Sequence, residues 1–394
     1  MSISSILPQD HARALLIGRV FDPALGGPVI VQLRGDRLVD VTEAGPTVSA
    51  LLECDDVAGR LGAIAPARDY ALAEVIEASL AGQADRPHLL APCDLQAVKA
   101  CGVTFARSMI ERVIEERARG DAGAAETIRA QISEAIGGQI RTLKPSSAEA
   151  AAAKEVLMAA GFWSQYLEVG IGPDAEVFTK APVLASVGLG AHIGILAKSS
   201  WNNPEPEVAL AVNSRGEIRG ATLGNDVNLR DIEGRSALLL GKAKDNNASS
   251  ALGPFIRLFD EHFTLDDVRR LDLSLTVTGA ADGYVLRGTS SMSEISRDPE
   301  ELVRHACGPH HQYPDGFMLF LGTLFAPIQD RDVPGQGFTH KLGDRVEIAA
   351  PALGSLINTV AYAEEAPTWT FGIGALMRNL AERGLLTAGA PEDR

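Results

Sequence analysis

NNPEPEVALAV, running from Asn202 to Val212, sets two glutamates at the mouth of an apolar run. The run VALAV has the length and residue types of a strand entering a core, and a proline precedes each glutamate. Side chains two apart on a strand share a face, so Glu205 and Glu207 point the same way. Two like charges held close are costly unless a positive charge sits between them. The next residues, NSRG at 213–216, suit a turn, and EIRGATLGND returns the chain to Asp226. A hairpin centred near 214–215 puts Glu205 opposite about Gly224, with Asp226 just past that pair. Three converging carboxylates with no His or Cys form an oxygen-only donor set. Such a set favours Mg2+, with Mn2+ and Ca2+ as the other hard-cation candidates. An isolated ExE at a strand end is ordinarily just solvated; here the polar run GNDVNLRDIEGRS (224–236) on the returning strand adds to the case.

Outward from this hairpin the chain divides by texture. At roughly one domain per 150 residues, 394 residues suit two domains or one large domain with additions. Residues 1–90 read as a small N-terminal mixed α/β domain: LLIGRVF and PVIVQLRGDRLVDVT are strand-like, with a hairpin turn at RGD. Residues 91–394 form the second unit. In FARSMIERVIEER, Phe105, Met109, Ile110, Val113 and Ile114 recur at helical spacing. SSAEAAAAKEVLMAAG has serine at its front and Gly161 behind. Two or three helices are expected over about 105–165. Beyond Phe178, short runs (VALAV, EIRGATL, LSLTVTG, YVLRGT, FMLFLGT, RVEIAAP) predict a β-rich core over about 178–361. A helix is expected near the C-terminus.

The net charge of -15 argues against nucleic acid as a partner. The four cysteines form no CxxC pair and read as reduced thiols. No apolar stretch is long enough to span a membrane, so a cytoplasmic protein with no membrane partner is expected. GLGAHIG (188–194) departs from the dinucleotide-loop spacing and reads as a glycine-rich turn. His305, His310 and His311 lack a metal-ligand frame and read as a loop. Lys242, at the end of the apolar run before Gly241, is a candidate to be desolvated and aimed at the site. Arg107 and Arg230 are candidates for contact with a substrate carboxylate.

Taken in order, ExE, NDxxxRDxE, GKxxD…GPFI, FLGT and HKLGDRVEIAAPALGSLINTV resemble the fumarylacetoacetate hydrolase superfamily over about 178–361, with a weaker piece at 100–111. The resemblance implies an α+β fold: a mixed β-roll catalytic domain, here with the small N-terminal domain and a helical insertion over about 112–165. It implies a divalent metal on Glu205, Glu207 and Asp226, an active-site lysine at Lys242, and Thr323 holding a substrate carboxylate. A homodimer or homotetramer is also implied. Family hydrolases activate water with a His–Glu pair. Here Glu111 is present but Ser108 stands in the histidine's place, and serine cannot accept a proton as imidazole does. Where family members often carry glutamine, this chain has Glu233. WNNPEPE, GNDVNLRD and KAKDNN are similar to the sugar-acid dehydratases of the superfamily. That likeness implies metal-dependent dehydration of a 2-keto-3-deoxy pentonate, the D-xylonate or D-arabinonate derivative, to 2-oxoglutarate semialdehyde in pentose catabolism. Glu111 would be the base, with Lys242 as alternative base or enolate stabiliser, and Ser108, Arg107, Arg230 and Thr323 would line the substrate. An acylpyruvate hydrolase and a non-catalytic metal-stabilised binding protein are the competing readings.

Overall fold

The computed structural model describes residues 5–386 except 120, 122, 126, 129–142, 160, 162, 326, 328 and 336; the side chain of Arg107 also lies outside the description. Strands in chain order are β1 (Leu16–Asp22), β2 (Gly27–Arg34), β3 (Arg37–Asp40), β4 (Asp69–Ala71), β5 (His88–Leu90), β6 (Ala97–Gly102), β7 (Glu176–Ala181), β8 (His192–Ile195), β9 (Asn202–Asn203) and β10 (Pro206–Val212). They continue as β11 (Ile218–Asp226), β12 (Asn228–Leu229), β13 (Ser250–Leu258), β14 (Asp272–Thr278), β15 (Val285–Ser291), β16 (Phe317–Phe320), β17 (Arg345–Ala350) and β18 (Gly354–Tyr362).

An eleven-stranded sheet runs β4-β3-β2-β1-β13-β11-β10-β16-β6-β7, with β5 also on β1. A five-stranded sheet runs β15-β14-β17-β18-β8, and β9 pairs with β12. The pairs β16–β6 and β18–β8 are parallel. Alternation along β10 explains the layering. Val208, Leu210 and Val212 enter a core shared with Leu273, Leu275 and Val277 of β14 and Val346 and Ile348 of β17. Ala209 and Ala211 enter a second core with Ile17, Met318, Phe320 and the short helix Val48–Leu52. VALAV is therefore continuously apolar because both faces of its strand are covered.

The hairpin at RGD forms, with Arg34 opposite Arg37 and Gly35 at φ +61°. The expected boundary near 90 is crossed by hydrogen bonding, since β1 pairs with β13 as well as β2. The helices Ala106–Ala118 and Ala148–Ala159 occupy the expected helical stretch, and a further helix, Gln165–Ile171, begins where that stretch was expected to end; the expectation over 129–142 lies outside the described residues. Met109, Val113 and Ile114 pack against Tyr166, Leu167 and Ile171. The opposite stripe of the first helix (Ser108, Glu111, Arg112, Glu115) is polar and faces the site. Near the C-terminus, the helix Ile373–Glu382 docks on the turn before β2 through Asn379 Nδ2, which donates to Leu25 O at 2.7 Å. All four cysteines are free thiols, and no described helix is long and apolar enough to cross a membrane.

Candidate active site

The β10–β11 register differs from the expected one by two residues. Glu207 faces Gly224, and Pro206 faces Asn225. The connection spans five residues, closed by Asn213 N–H donating to Glu217 O at 3.0 Å, and the register shifts between Ala211 and Val212. Asp226 thus comes directly across from Glu205, donating its N–H to Glu205 O at 3.1 Å. All three carboxylates share one face, are buried, and offer oxygens within 4.8 Å of one another.

Their surroundings are crowded with charge. Among the described residues, Glu176, Glu205, Glu207, Asp226 and Glu233 line one pocket with two cations, Arg112 and Lys244. Lys244 Nζ donates to Glu205 Oε2 at 2.5 Å and to Asp226 Oδ2 at 2.9 Å. Arg112 donates to Glu205 at 2.5 Å and to Glu233 and Glu115 at 2.7 Å. Burial pushes the Glu207 carboxyl well above its ordinary range, and the neighbouring Asp226 and Glu205 add to this. Burial also pushes Asp226 up, but Lys180 and Lys244 outweigh it and hold that carboxyl low. Burial pulls Lys244 down, yet Asp226, Glu205 and Glu233 overcome it and keep the ammonium charged. Burial, with help from Glu233, raises Glu176 to about 7.

Three clustered carboxylates with an excess of buried acid around them fit a hard divalent cation held by Glu205, Glu207 and Asp226. Two glycines shape this pocket. Gly322, at φ +89°, brings its N–H 2.7 Å from Glu207 Oε2, and a Cβ there would meet Thr104 Oγ1 at 2.0 Å. A Cβ on Gly102 would meet Glu176 Oε2 at 1.9 Å, so the bare backbone makes room for that carboxyl.

The lysine expectation needs correction. Lys242 is exposed and lies outside the pocket, whereas Lys244 lines it. Leu238–Leu240 is not a buried segment: Leu238 is 95% exposed and the chain there forms short helical turns. Two residues along a helix point about 200° apart, so Lys242 faces outward while Lys244 faces in.

Ser108 and Thr323 line the pocket and also an adjoining cleft with Glu111, Arg112, Glu205 and Arg230. Ser108 Oγ donates to Phe105 O at 2.9 Å. Glu111 is buried in that cleft, 3.6 Å from Arg230. The Arg230 guanidinium is paired with Glu115 at 2.7 Å and stacked over Trp201 at 4.1 Å. Arg107 sits on the first turn of the helix, its side chain outside the described residues. Sequence reading did not single out Lys244, Lys180, Arg112, Glu115 or Glu176. For Arg112 and Glu115 a signal existed: residues 108, 111, 112 and 115 form a polar stripe at helical spacing.

Among known proteins, the fumarylacetoacetate (FAA) hydrolase C-terminal family matches residues 149–361. A probable 2-keto-3-deoxyxylonate dehydratase of Haloferax volcanii is 34% identical over 196 residues, which is 50% of this chain and 63% of that protein. A 2-dehydro-3-deoxy-D-arabinonate dehydratase of Saccharolobus solfataricus is 32% identical over 186 residues, 47% of this chain and 58% of that protein. The match thus spans less than two thirds of either relative. A solved 2-keto-3-deoxy-D-arabinonate dehydratase complexed with magnesium and 2,5-dioxopentanoate superposes with a TM-score of 0.62. It is 21% identical, covering 88% of this chain and 99% of that one, a likeness of fold. The fold is accordingly the α+β type of that structure, and since the matched residues make up more than half of the 394, the chain belongs to the fumarylacetoacetate hydrolase family.

Proposed function

We propose that this protein is a metal-dependent hydro-lyase that removes water from a 2-keto-3-deoxy pentonate to give 2-oxoglutarate semialdehyde. The observation that carries the reading is one pocket holding the Glu205–Glu207–Asp226 triad, a charged Lys244 and the Glu176 carboxyl. The names of the two relatives above support the substrate class. A divalent cation on the triad, Mg2+ by preference, would supply Lewis-acid stabilisation of negative charge on the substrate's 2-keto oxygen.

The chain's own groups divide the remaining work. Lys244 stays protonated, so it serves as a donor to substrate oxygens and not as a base. Glu176, near 7, exchanges a proton at neutral pH, and we assign it the transfer from C3. Loss of the C4 hydroxyl as water then leaves a C3–C4 double bond. Moving a proton from C5 to C3 gives the enol of the aldehyde, so one water leaves and no redox partner is needed. Glu111, in the adjoining cleft, is the second candidate for the base. Thr323 and Ser108 line both pocket and cleft, which supports a substrate-contact role for each. Arg230 is committed to Glu115 and Trp201 and acts by holding the helix Ala106–Ala118 in place.

The test is a proton NMR time course of chelator-stripped protein with 2-keto-3-deoxy-D-xylonate or its arabinonate counterpart, with and without Mg2+. An aldehyde signal that needs metal supports the reading. Intact sugar acids, with cleavage of an acylpyruvate instead, would replace it with hydrolase activity.

A further inference from the structure

Lys180 lies on β7, with its side chain fully buried. Lysine is almost never buried to that degree without partners, because an ammonium removed from water loses its hydration. Its Nζ sits 3.1 Å from Val227 O, 2.5 Å from Lys244 O and 2.8 Å from Asp226 Oδ1. Two donors meet main-chain carbonyls and Asp226 Oδ1 is the ion-pair partner, so the ammonium is held among three oxygens of the protein. Lys244 grips the other oxygen, Asp226 Oδ2, at 2.9 Å. One lysine thereby fixes both the carboxylate of Asp226 and the main chain of the residue that reaches Glu205.

We infer that Lys180 is a positioning residue: it orients Asp226 for the cation and anchors the backbone of Lys244. The inference rests on the reading of the carboxylate triad as a metal site. Two physical effects oppose each other, which makes the inference testable. As a bare positive charge beside a metal ligand, Lys180 repels a cation, and its removal would tighten binding. As an orienting group, its removal frees Asp226 to rotate and weakens binding. Partners of metal ligands typically contribute about 10–100-fold in affinity.

The experiment titrates full-length wild type, Lys180→Met, Lys180→Gln and Glu207→Ala with Mn2+, reading free ion by electron paramagnetic resonance. Circular dichroism checks folding, and steady-state kinetics at saturating metal accompany both. Lys180→Met is expected to stay folded and to raise the Mn2+ dissociation constant about 10–100-fold. Lys180→Gln, which keeps an N–H donor, is expected to lose less. In both, kcat falls at saturating metal because Lys244 has lost its anchor. Unchanged or tighter Mn2+ binding in a folded variant overturns the role of Lys180, as does loss of the fold in both variants. Wild type that binds no more Mn2+ than Glu207→Ala overturns the metal reading itself, and this inference with it.

Discussion

Lys244 and Glu205 form a buried ion pair at 2.5 Å, and the same ammonium reaches Asp226. Removing one partner of such a pair leaves a buried charge without its counter-charge, a loss of about 3–5 kcal/mol. The lysine is also a preorganised donor, and loss of one such donor lowers turnover by about 10²–10³-fold. Lys244→Met is therefore expected to depress kcat by that range. Lys242→Ala, an exposed change, is expected to shift stability by no more than about 0.5 kcal/mol and to leave turnover as it was. Steady-state kinetics of the two variants side by side decide it; the opposite ranking would return the active-site role to Lys242.

Gly322 offers a second test, with Gly335 as its control. Both have positive φ, +89° and +81°. Alanine at either position costs about 1–3 kcal/mol in backbone strain. Only at 322 does the new Cβ collide, with Thr104 Oγ1, and only there does the N–H hold Glu207. Gly322→Ala is expected to lower both the melting temperature and Mn2+ affinity, whereas Gly335→Ala lowers only the former. Equal Mn2+ affinity in the two variants would remove Gly322 N–H from the set of groups that orient Glu207.

The contrast between these sites and the sequence reading has a physical pattern. Glu205, Glu207 and Asp226 were legible because alternation and a turn are local properties, and a register error of two residues still left them on one face. Lys244 was not legible, since Leu238–Leu240 reads as a buried run until the fold shows it in solvent. Glu176 meets the triad only through sheet pairing, and nothing local to DAEVFTKA announces that. The joining of β1 to β13 links residues some 240 apart in sequence, a separation no periodicity encodes. Arg112 and Glu115 lie between: their stripe was readable, but its target was not.

The pH dependence of turnover should follow Glu176. Its carboxyl is raised to about 7, by burial first and then by Glu233. As the base that takes the C3 proton, it must be ionised, and the ionised form gains population as pH rises through that value. The log of kcat is therefore expected to climb with pH below about 7 and to level above it. Glu176→Gln should remove that limb and lower kcat by about 10²–10⁴-fold. If the limb survives in Glu176→Gln and vanishes in Glu111→Gln, the base is Glu111.

Asp344, fully buried, accepts from Arg331 at 2.6 and 2.8 Å and lies 3.2 Å from His340 Nδ1. Burial pushes its carboxyl up, but the bonds from Arg331 and His340 outweigh this and hold it below 3.8. Burial lowers His340 below 6.5. Both shifts act in the same direction. The unfolded chain binds a proton at histidine below about 6.5, where folded His340 resists it, so stability declines as pH falls from there. The contribution of Asp344 is complete above its unfolded value and is lost as pH drops through its lower folded value. Melting temperature against pH should thus fall in two stages on acidification. Asp344→Ala, which leaves Arg331 with Asp282 as its carboxylate partner among the described residues, should cost about 3–5 kcal/mol at neutral pH and erase the lower stage. A variant that melts like wild type at pH 7 would show that the buried pair contributes nothing net, its Coulombic gain cancelled by desolvation.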